Sequence, residues 1–324
     1  MKLYISFHGG TGTSDVNNIL GYDLDDTDAS PTSLLPTTPT LTQLRAFVLI
    51  GEKLYVANSY KKLSQVLEYQ VTSSELQGSI LAGPDTVNSL YHPFGITFDS
   101  QGNLFVSNQD SNVVTRLNPQ GQAGTLPSAL EQYPNPSDFL SGTFVASAQG
   151  DLPGVSKRNG GVIPTDVPVP QGLEASFDSD GKVQNSVRDV LLYEGILYVV
   201  DEVAGAIKAY DLVNGGLLGY LARGKMDSPT HLLLHDQTLY IAAGKSIFQY
   251  DLSQGPPVGK AKPKKFLYKQ LDKASGMAFD AKGNFYVAER KKQKVLKYKF
   301  SSGKLKTALK NLPDQPEFIS FLNI

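Results

Sequence analysis

His92-Pro93-Phe94-Gly95-Ile96-Thr97-Phe98-Asp99, followed by Gly102-Asn103-Leu104-Phe105-Val106-Ser107-Asn108 and by Asn112-Val113-Val114-Thr115-Arg116-Leu117-Asn118, is one copy of a repeat. It reads as an alternating strand, a glycine turn, an apolar strand, a polar turn and a third strand. A second copy runs Ser275-Gly276-Met277-Ala278-Phe279-Asp280, Gly283-Asn284-Phe285-Tyr286-Val287-Ala288-Glu289 and Val295-Leu296-Lys297-Tyr298. Small sheets repeating at this period stack into an array whose members bury one another's faces. The strands of one sheet are called A, B, C and D, from the inside outwards.

Strand B recurs at Leu3-Tyr4-Ile5, Leu54-Tyr55-Val56, Leu104-Phe105-Val106, Leu197-Tyr198-Val199, Leu239-Tyr240-Ile241 and Phe285-Tyr286-Val287. Taken around a ring, five of the six spacings fall between 42 and 51 residues, and the sixth, Leu104 to Leu197, is 93. Strand C, an aliphatic residue three before an aromatic, recurs at Ile19…Tyr22, Val66…Tyr69, Ile207…Tyr210, Ile247…Tyr250 and Val295…Tyr298, with Val114…Leu117 as a variant. In the long gap, Glu174…Phe177-Asp178 supplies a seventh copy, with Thr143-Phe144-Val145 as its B strand and an A strand near Pro136 to Leu140. The expected fold is therefore all-β, a single β-propeller over residues 1–324. Seven blades fit best, with a Pro/Gly-rich insertion at 150–171; six blades with a long insertion is the alternative.

The ends predict how the ring closes. Glu317-Phe318-Ile319-Ser320-Phe321 has the alternation of an A strand with no B strand after it, and Met1-Lys2-Leu3-Tyr4-Ile5 is a B strand with no A strand before it. Pairing them removes two exposed sheet edges. Composition agrees with a turn-rich β protein, with 40% hydrophobic residues, 30 Gly and 19 Pro. Absence of Cys excludes disulfides and thiolate chemistry. No apolar run approaches the ~20 residues of a membrane-spanning helix. The opening strand does not read as a secretory leader, so a soluble, monomeric, cytoplasmic protein without membrane insertion is expected.

The copies at Phe94 to Leu117 ("PFGITFDSQGNLFVSNQDSNVVTRL") and Ser275 to Tyr298 ("SGMAFDAKGNFYVAERKKQKVLKY") resemble NHL repeats and the streptogramin-lyase-like and gluconolactonase-like propellers. That resemblance implies one of several roles: a carbon–oxygen lyase, a metal-dependent lactonase, an amidating lyase, or a module that binds protein or RNA. A propeller fold by itself does not choose among them.

In an up-and-down blade, the entrance to A and the exit from B lie on one face. Entrances carry Arg45, Phe94, Arg188, Thr230, Ser275 and Glu317; exits carry Asn58, Asn108, Asp201, Glu289 and, in the first blade, Phe7-His8. His92 and His231 fall on this face and His235 on the other, while one B exit has only Ala243. This mouth over the channel is the expected site for a small polar molecule. His8 or His231, beside Glu289 or Glu317, would serve as a general base, with Arg45, Arg188 and Glu317 clamping the ligand. The plainer reading of the Arg and Glu residues is a structural clasp across the channel.

Asn58, Asn108, Asp201 and Glu289 offer hard oxygen ligands for a divalent cation, Ca or Mg. Their plainer role is capping the B–C turns through backbone amides. They match lactonase ligands in residue type only. The family places its ligands mainly at the A entrances, where this chain has Arg45, Phe94 and Arg188. A zinc site from His8, His92 and His231 is the lesser metal reading. No phosphate loop or nucleophile elbow appears, and Gly9-Gly10-Thr11-Gly12-Thr13 sits in a B–C loop.

The net charge of −1 hides an asymmetry: between Lys260 and Lys310 sixteen Lys or Arg face three acids, and the remainder carries −14. Lysines on outer strands protect a sheet edge, which is the first reading. An anionic partner on this 260–310 sector is the second. Two functions stay open: a small-molecule lyase or hydrolase at the channel mouth, or a non-catalytic propeller scaffold that binds a protein or anionic partner.

Overall fold

In a computed structural model of the chain, the residues described are 1–9, 16–36, 41–59, 64–71, 76–83, 90, 92–109, 113–117, 138–140, 187–212, 217–221, 226–255 and 259–324. Blade one opens with β1 (Lys2–Phe7), β2 (Leu20–Asp23) and β3 (Thr32–Ser33). Blade two is β4 (Leu44–Ile50), β5 (Lys53–Asn58), β6 (Gln65–Val71) and β7 (Leu76–Ala82). Blade three is β8 (Pro93–Phe98), β9 (Leu104–Asn108), β10 (Val113–Leu117) and β11 (Asp138–Leu140). Blade four is β12 (Val187–Tyr193), β13 (Ile196–Asp201), β14 (Ala206–Asp211) and β15 (Leu217–Leu221).

Blade five starts with β16 (Pro229–His235), β17 (Thr238–Ala243) and β18 (Ser246–Asp251). The chain then crosses to add β19 (Gly259–Ala261) in parallel to β15, before β20 (Lys264–Leu267) returns as the outer strand of blade five. Blade six is β21 (Ala274–Phe279), β22 (Phe285–Glu289), β23 (Lys294–Lys299) and β24 (Lys304–Leu309). Last, β25 (Pro316–Ser320) pairs antiparallel with β1, Tyr4 opposite Ser320 and Ile5 opposite Ile319, as the inner strand of blade one. The two ends of the described chain thus share one sheet.

The B strands carry the packing. In β9 and β22 every residue is buried, so both faces of these strands are covered. A sheet hidden on both faces needs a neighbour on each side, and a ring provides it. Six apolar clusters fill the six gaps: Tyr4 and Ile19 with Phe47 and Val56, Ala57 with Val106, Phe105 with Val190, Tyr198 with Ile241, Tyr240 with Phe285, and Tyr286 with Ile5. Each buried Leu, Ile, Val or Phe contributes roughly 1.5–3 kcal/mol.

The ring has six blades, and the expectation of seven is corrected. Blades three and four touch directly: Thr97 Oγ1 accepts from the Leu192 amide at 3.3 Å, and Phe105 and Val114 share a core with Val187 and Val190. No blade fits between them. Asp138–Leu140, expected in an A strand, is the outer strand of blade three, paired with β10. The pattern at Glu174…Phe177, the Thr143–Val145 segment and the 150–171 insertion lie outside the described residues. Among the described residues no helix is long and apolar enough to cross a membrane.

Every inner strand shifts register at its start, at Leu44/Phe47, Pro93/Ile96, Val187/Val190, Pro229/His231, Ala274/Met277 and, across β1, Ile5/Phe7. A bulge releases side chains from the ladder and re-aims them. Two rings of six residues follow from it. The second positions are Arg45, Phe94, Arg188, Thr230, Ser275 and Glu317; the third are Ala46, Gly95, Asp189, His231, Gly276 and Phe318.

Candidate functional site

The second ring and the residues just after the B strands form a charged layer at the channel entrance. Glu317 is fully buried. Its Oε2 lies 2.8 Å from His8 Nδ1 and 3.4 Å from the Arg290 guanidinium, and its Oε1 stands 3.6 Å from His231 Nε2. Arg45, 2% exposed, donates from Nη1 to the His8 carbonyl at 2.6 Å, and Ser6 Oγ donates to the Arg45 carbonyl. The His8 backbone is fixed in turn, its amide donating to the Gln315 carbonyl at 2.8 Å.

Burial alone would raise the Glu317 carboxyl, but Arg290, His8 and Arg45 together hold it well below the usual carboxylate range. Burial pushes His231 down to about 3, against the pull of Glu317 and with the push of Arg290 and Arg45. His8 is lowered too, by burial first, and Glu317 only partly offsets this. At neutral pH the layer therefore holds an ionised carboxylate and two neutral imidazoles. A carboxylate can only accept, so His8 Nδ1 carries the proton and Nε2 keeps its lone pair. His8 is one-third exposed while its Glu317 anchor is not.

The other expected clamp residues have different partners. Arg188 is held by Glu202, its Nε donating to Oε2 at 2.7 Å and its terminal nitrogen to the same oxygen, and its guanidinium lies over the Phe94 ring at 5.5 Å. Thr230 Oγ1 is 2.9 Å from His231 Nδ1. Ser275 Oγ donates to the Pro316 carbonyl at 2.9 Å and ties blade six to blade one. His92 is buried on blade three, its amide donating to Ser64 Oγ.

The four expected cation ligands work inside their own blades. Asn58 accepts from the Thr42 amide and donates to Gln65, and Asn108 donates to Thr115. Asp201 pairs with Lys208 at 2.6 Å, while Glu289 accepts from the Asp272 amide and pairs with Lys294 at 2.8 Å. Among the described residues no three His, Asp or Glu side chains gather as metal ligands. Gly10–Thr13 lie outside the described residues.

Arg290 and Glu202 are missing from the sequence reading. A signal for them exists. Side chains alternate along a strand, so a B-exit residue that caps its own blade leaves the next residue pointing the other way. Three of those next residues, Ser59, Glu202 and Arg290, bond to an inner strand, as does His8 after Phe7: His8 and Arg290 to Glu317, Ser59 to the Pro93 carbonyl, Glu202 to Arg188.

Below this layer the channel is blocked by aromatic rings. Phe94, His231 and Phe318 meet with centroids 4.4–5.3 Å apart. Beyond them lies a cavity of about 510 Å³, lined by inner-strand residues from the third or fourth position onwards. None of the charged residues around Glu317 lines it.

On the outside, β24 presents Lys304 and Lys306 on an edge strand, as edge protection requires. Exposed Tyr268 has Lys265 Nζ 3.8 Å and Lys269 Nζ 5.4 Å from its ring centroid.

No family model matches this sequence, and comparison with curated proteins gives no match. A chain in the crystal structure of a nidogen/laminin complex is similar in fold, with a TM-score of 0.60 at 11% identity over 98% of this chain and 97% of that one. The likeness supports a β-propeller.

Proposed function

We propose that the chain is a small-molecule propeller that acts on a polar ligand at the entrance of its inner strands, with His8 as general base. The observation that carries this is the His8–Glu317 contact: a buried, ionised carboxylate fixes the tautomer of a partly exposed, neutral imidazole. A positioned histidine of this kind abstracts a proton from carbon in a lyase or from water in a hydrolase, worth typically 10²–10⁴ in rate. Glu317 orients the ring and stabilises the imidazolium as it forms, and Arg45 and Arg290 keep Glu317 charged. His231, buried and neutral, is a positioning residue. Arg188, bound to Glu202, shapes the rim. A divalent cation on Asn58, Asn108, Asp201 and Glu289 is no part of this reading, since their side chains are occupied within the blades.

The test is a panel of lactones, esters and β-elimination substrates assayed with wild type, His8→Gln and Glu317→Gln. Turnover falling at least a hundredfold in both variants, with the fold intact by circular dichroism, supports the proposal. A wild-type rate in folded His8→Gln removes it.

A second reading rests on Tyr268 between Lys265 and Lys269: this edge binds an anionic partner. Heparin serves as probe. Binding that weakens with salt and is lost in the Lys265→Glu/Lys269→Glu double variant supports it; unchanged retention of that variant contradicts it.

A further inference from the structure

The cavity on the far side of the aromatic block is a separate compartment with its own chemistry. Most of its lining side chains are apolar, Val48, Leu191, Leu233, Met277 and Phe321 among them, with Thr97, His235 and Ser320 polar, and its volume of about 510 Å³ lies in the range that holds a small organic molecule. At its inner end lies one carboxylic acid, Asp189, 5% exposed. Oδ1 accepts from the Val190 amide and Oδ2 from the Leu232 amide, both at 2.9 Å. Gly95 makes the space, because a Cβ there would lie 2.2 Å from Oδ1.

Among the described residues no cation pairs with Asp189. Its layer holds one other ionisable side chain, His231, which burial keeps neutral. Burial likewise drives the Asp189 carboxyl up to about 7, only partly countered by the two amides. A buried acid with hydrogen bonds and no counter-charge costs free energy when ionised, and a bound cation would remove that cost. The turns that join the inner strands to the B strands add Glu52, Asp99, Glu194, Asp236 and Asp280 at the outer end, against Lys282, Lys53 (paired with Glu68), Lys297 (reaching Asp280) and His235 (3.3 Å from Asp236).

We propose that this channel is a binding site for a small apolar amine, its hydrocarbon body against the Leu, Met and Phe walls and its ammonium against Asp189. The site is independent of the His8 centre, from which Phe94, His231 and Phe318 divide it.

Adamantylamine, adamantanol and adamantane carboxylate share one body and differ in charge, so titration calorimetry with the three reads the role of the acid. The expected order is amine tightest, alcohol weaker and carboxylate weakest, at least tenfold separating the first from the last. Asp189→Asn should weaken the amine at least tenfold and leave the alcohol within about twofold. Shifts of the Met277 and Leu233 methyl signals during the titration locate the ligand without relying on a variant, and His8→Gln should leave the amine affinity within about twofold. Equal affinity for amine and carboxylate, an unchanged amine affinity in Asp189→Asn, or no amine binding to the folded protein would overturn the assignment.

Discussion

Glu317 and Asp189 are both buried carboxylates on inner strands, one register position apart, and their surroundings drive them in opposite directions. Glu317, at a second position, meets Arg290, Arg45 and His8, so it stays charged. Asp189, at a third position, meets two backbone amides and a hydrocarbon wall, so it takes up a proton near neutrality. Burial is common to both. The difference lies in whether cations accompany the acid, and the alternation of a strand decides that: the B-exit neighbours that supply His8 and Arg290 reach the first layer only.

The comparison breaks most severely if Glu317 loses its charge. Glu317→Gln takes from buried Arg290 the carboxylate it pairs with, and a loss of about 3–5 kcal/mol is expected in urea unfolding at pH 7. The Glu317 pKa is depressed in the folded state, so its contribution is present above pH ~4.5 and lost as pH falls. The variant should therefore approach wild type towards pH 3.

Asp189 has the opposite sign. Its folded pKa of about 7 exceeds the ordinary 3.8, so stability is greatest below pH ~4 and declines as pH rises to about 7. The slope is about 1.4 kcal/mol per pH unit in that window. Asp189→Asn removes this slope. It costs about 1–3 kcal/mol at low pH, because an amide nitrogen cannot accept from Val190 or Leu232, and it overtakes wild type between about pH 4.5 and pH 6. A parallel wild-type and variant profile between pH 4 and 7 would contradict the difference drawn between the two acids.

Two glycines sharpen the comparison. A Cβ on Gly276 would lie 2.6–2.7 Å from the backbone of Glu317, Phe318 and Ile319, and one on Gly95 2.8–2.9 Å from the backbone of Val190 and Asp189. Each alanine variant should cost about 1–3 kcal/mol by crowding one acid's strand. Gly276→Ala should perturb His8, and Gly95→Ala the channel ligand. The smallest effect is expected at a B exit: Asn58→Ala should cost about 1 kcal/mol and leave the Glu317 layer unchanged. A change in the histidine signals of that variant would show that the two sides of the strand are coupled.

The sequence was most informative where the period itself positions residues. Arg45, Phe94, Arg188, Thr230, Ser275 and Glu317 were identified as inner-strand entrances, and these six residues fall one to a blade. The seventh blade rests on Glu174…Phe177, where a glutamate stands in the aliphatic position, so only the aromatic and the Asp after it match the strand C pattern. His8 and Glu317 were both named, yet their pairing depends on β25 lying beside β1, which brings residues 309 apart within 2.8 Å. Asn58, Asn108, Asp201 and Glu289 were singled out by residue type, whereas the residues that reach the inner strands are the successors of three of them, Ser59, Glu202 and Arg290. Arg290 and Glu202 followed from a period of two already visible in the B strands. The cavity was not legible, because its volume depends on how closely the inner strands approach one another, which Gly95 and Gly276 permit by lacking a Cβ.

Carbon-13 titration of the side-chain carboxyls, with Glu317→Gln and Asp189→Asn to assign the signals, tests the opposition between the two acids directly. The account predicts that the Asp189 carboxyl titrates near pH 7 while Glu317 stays ionised down to the acid limit of the fold. An Asp189 signal that titrates below pH 4, or a Glu317 signal that titrates above pH 5, would contradict it.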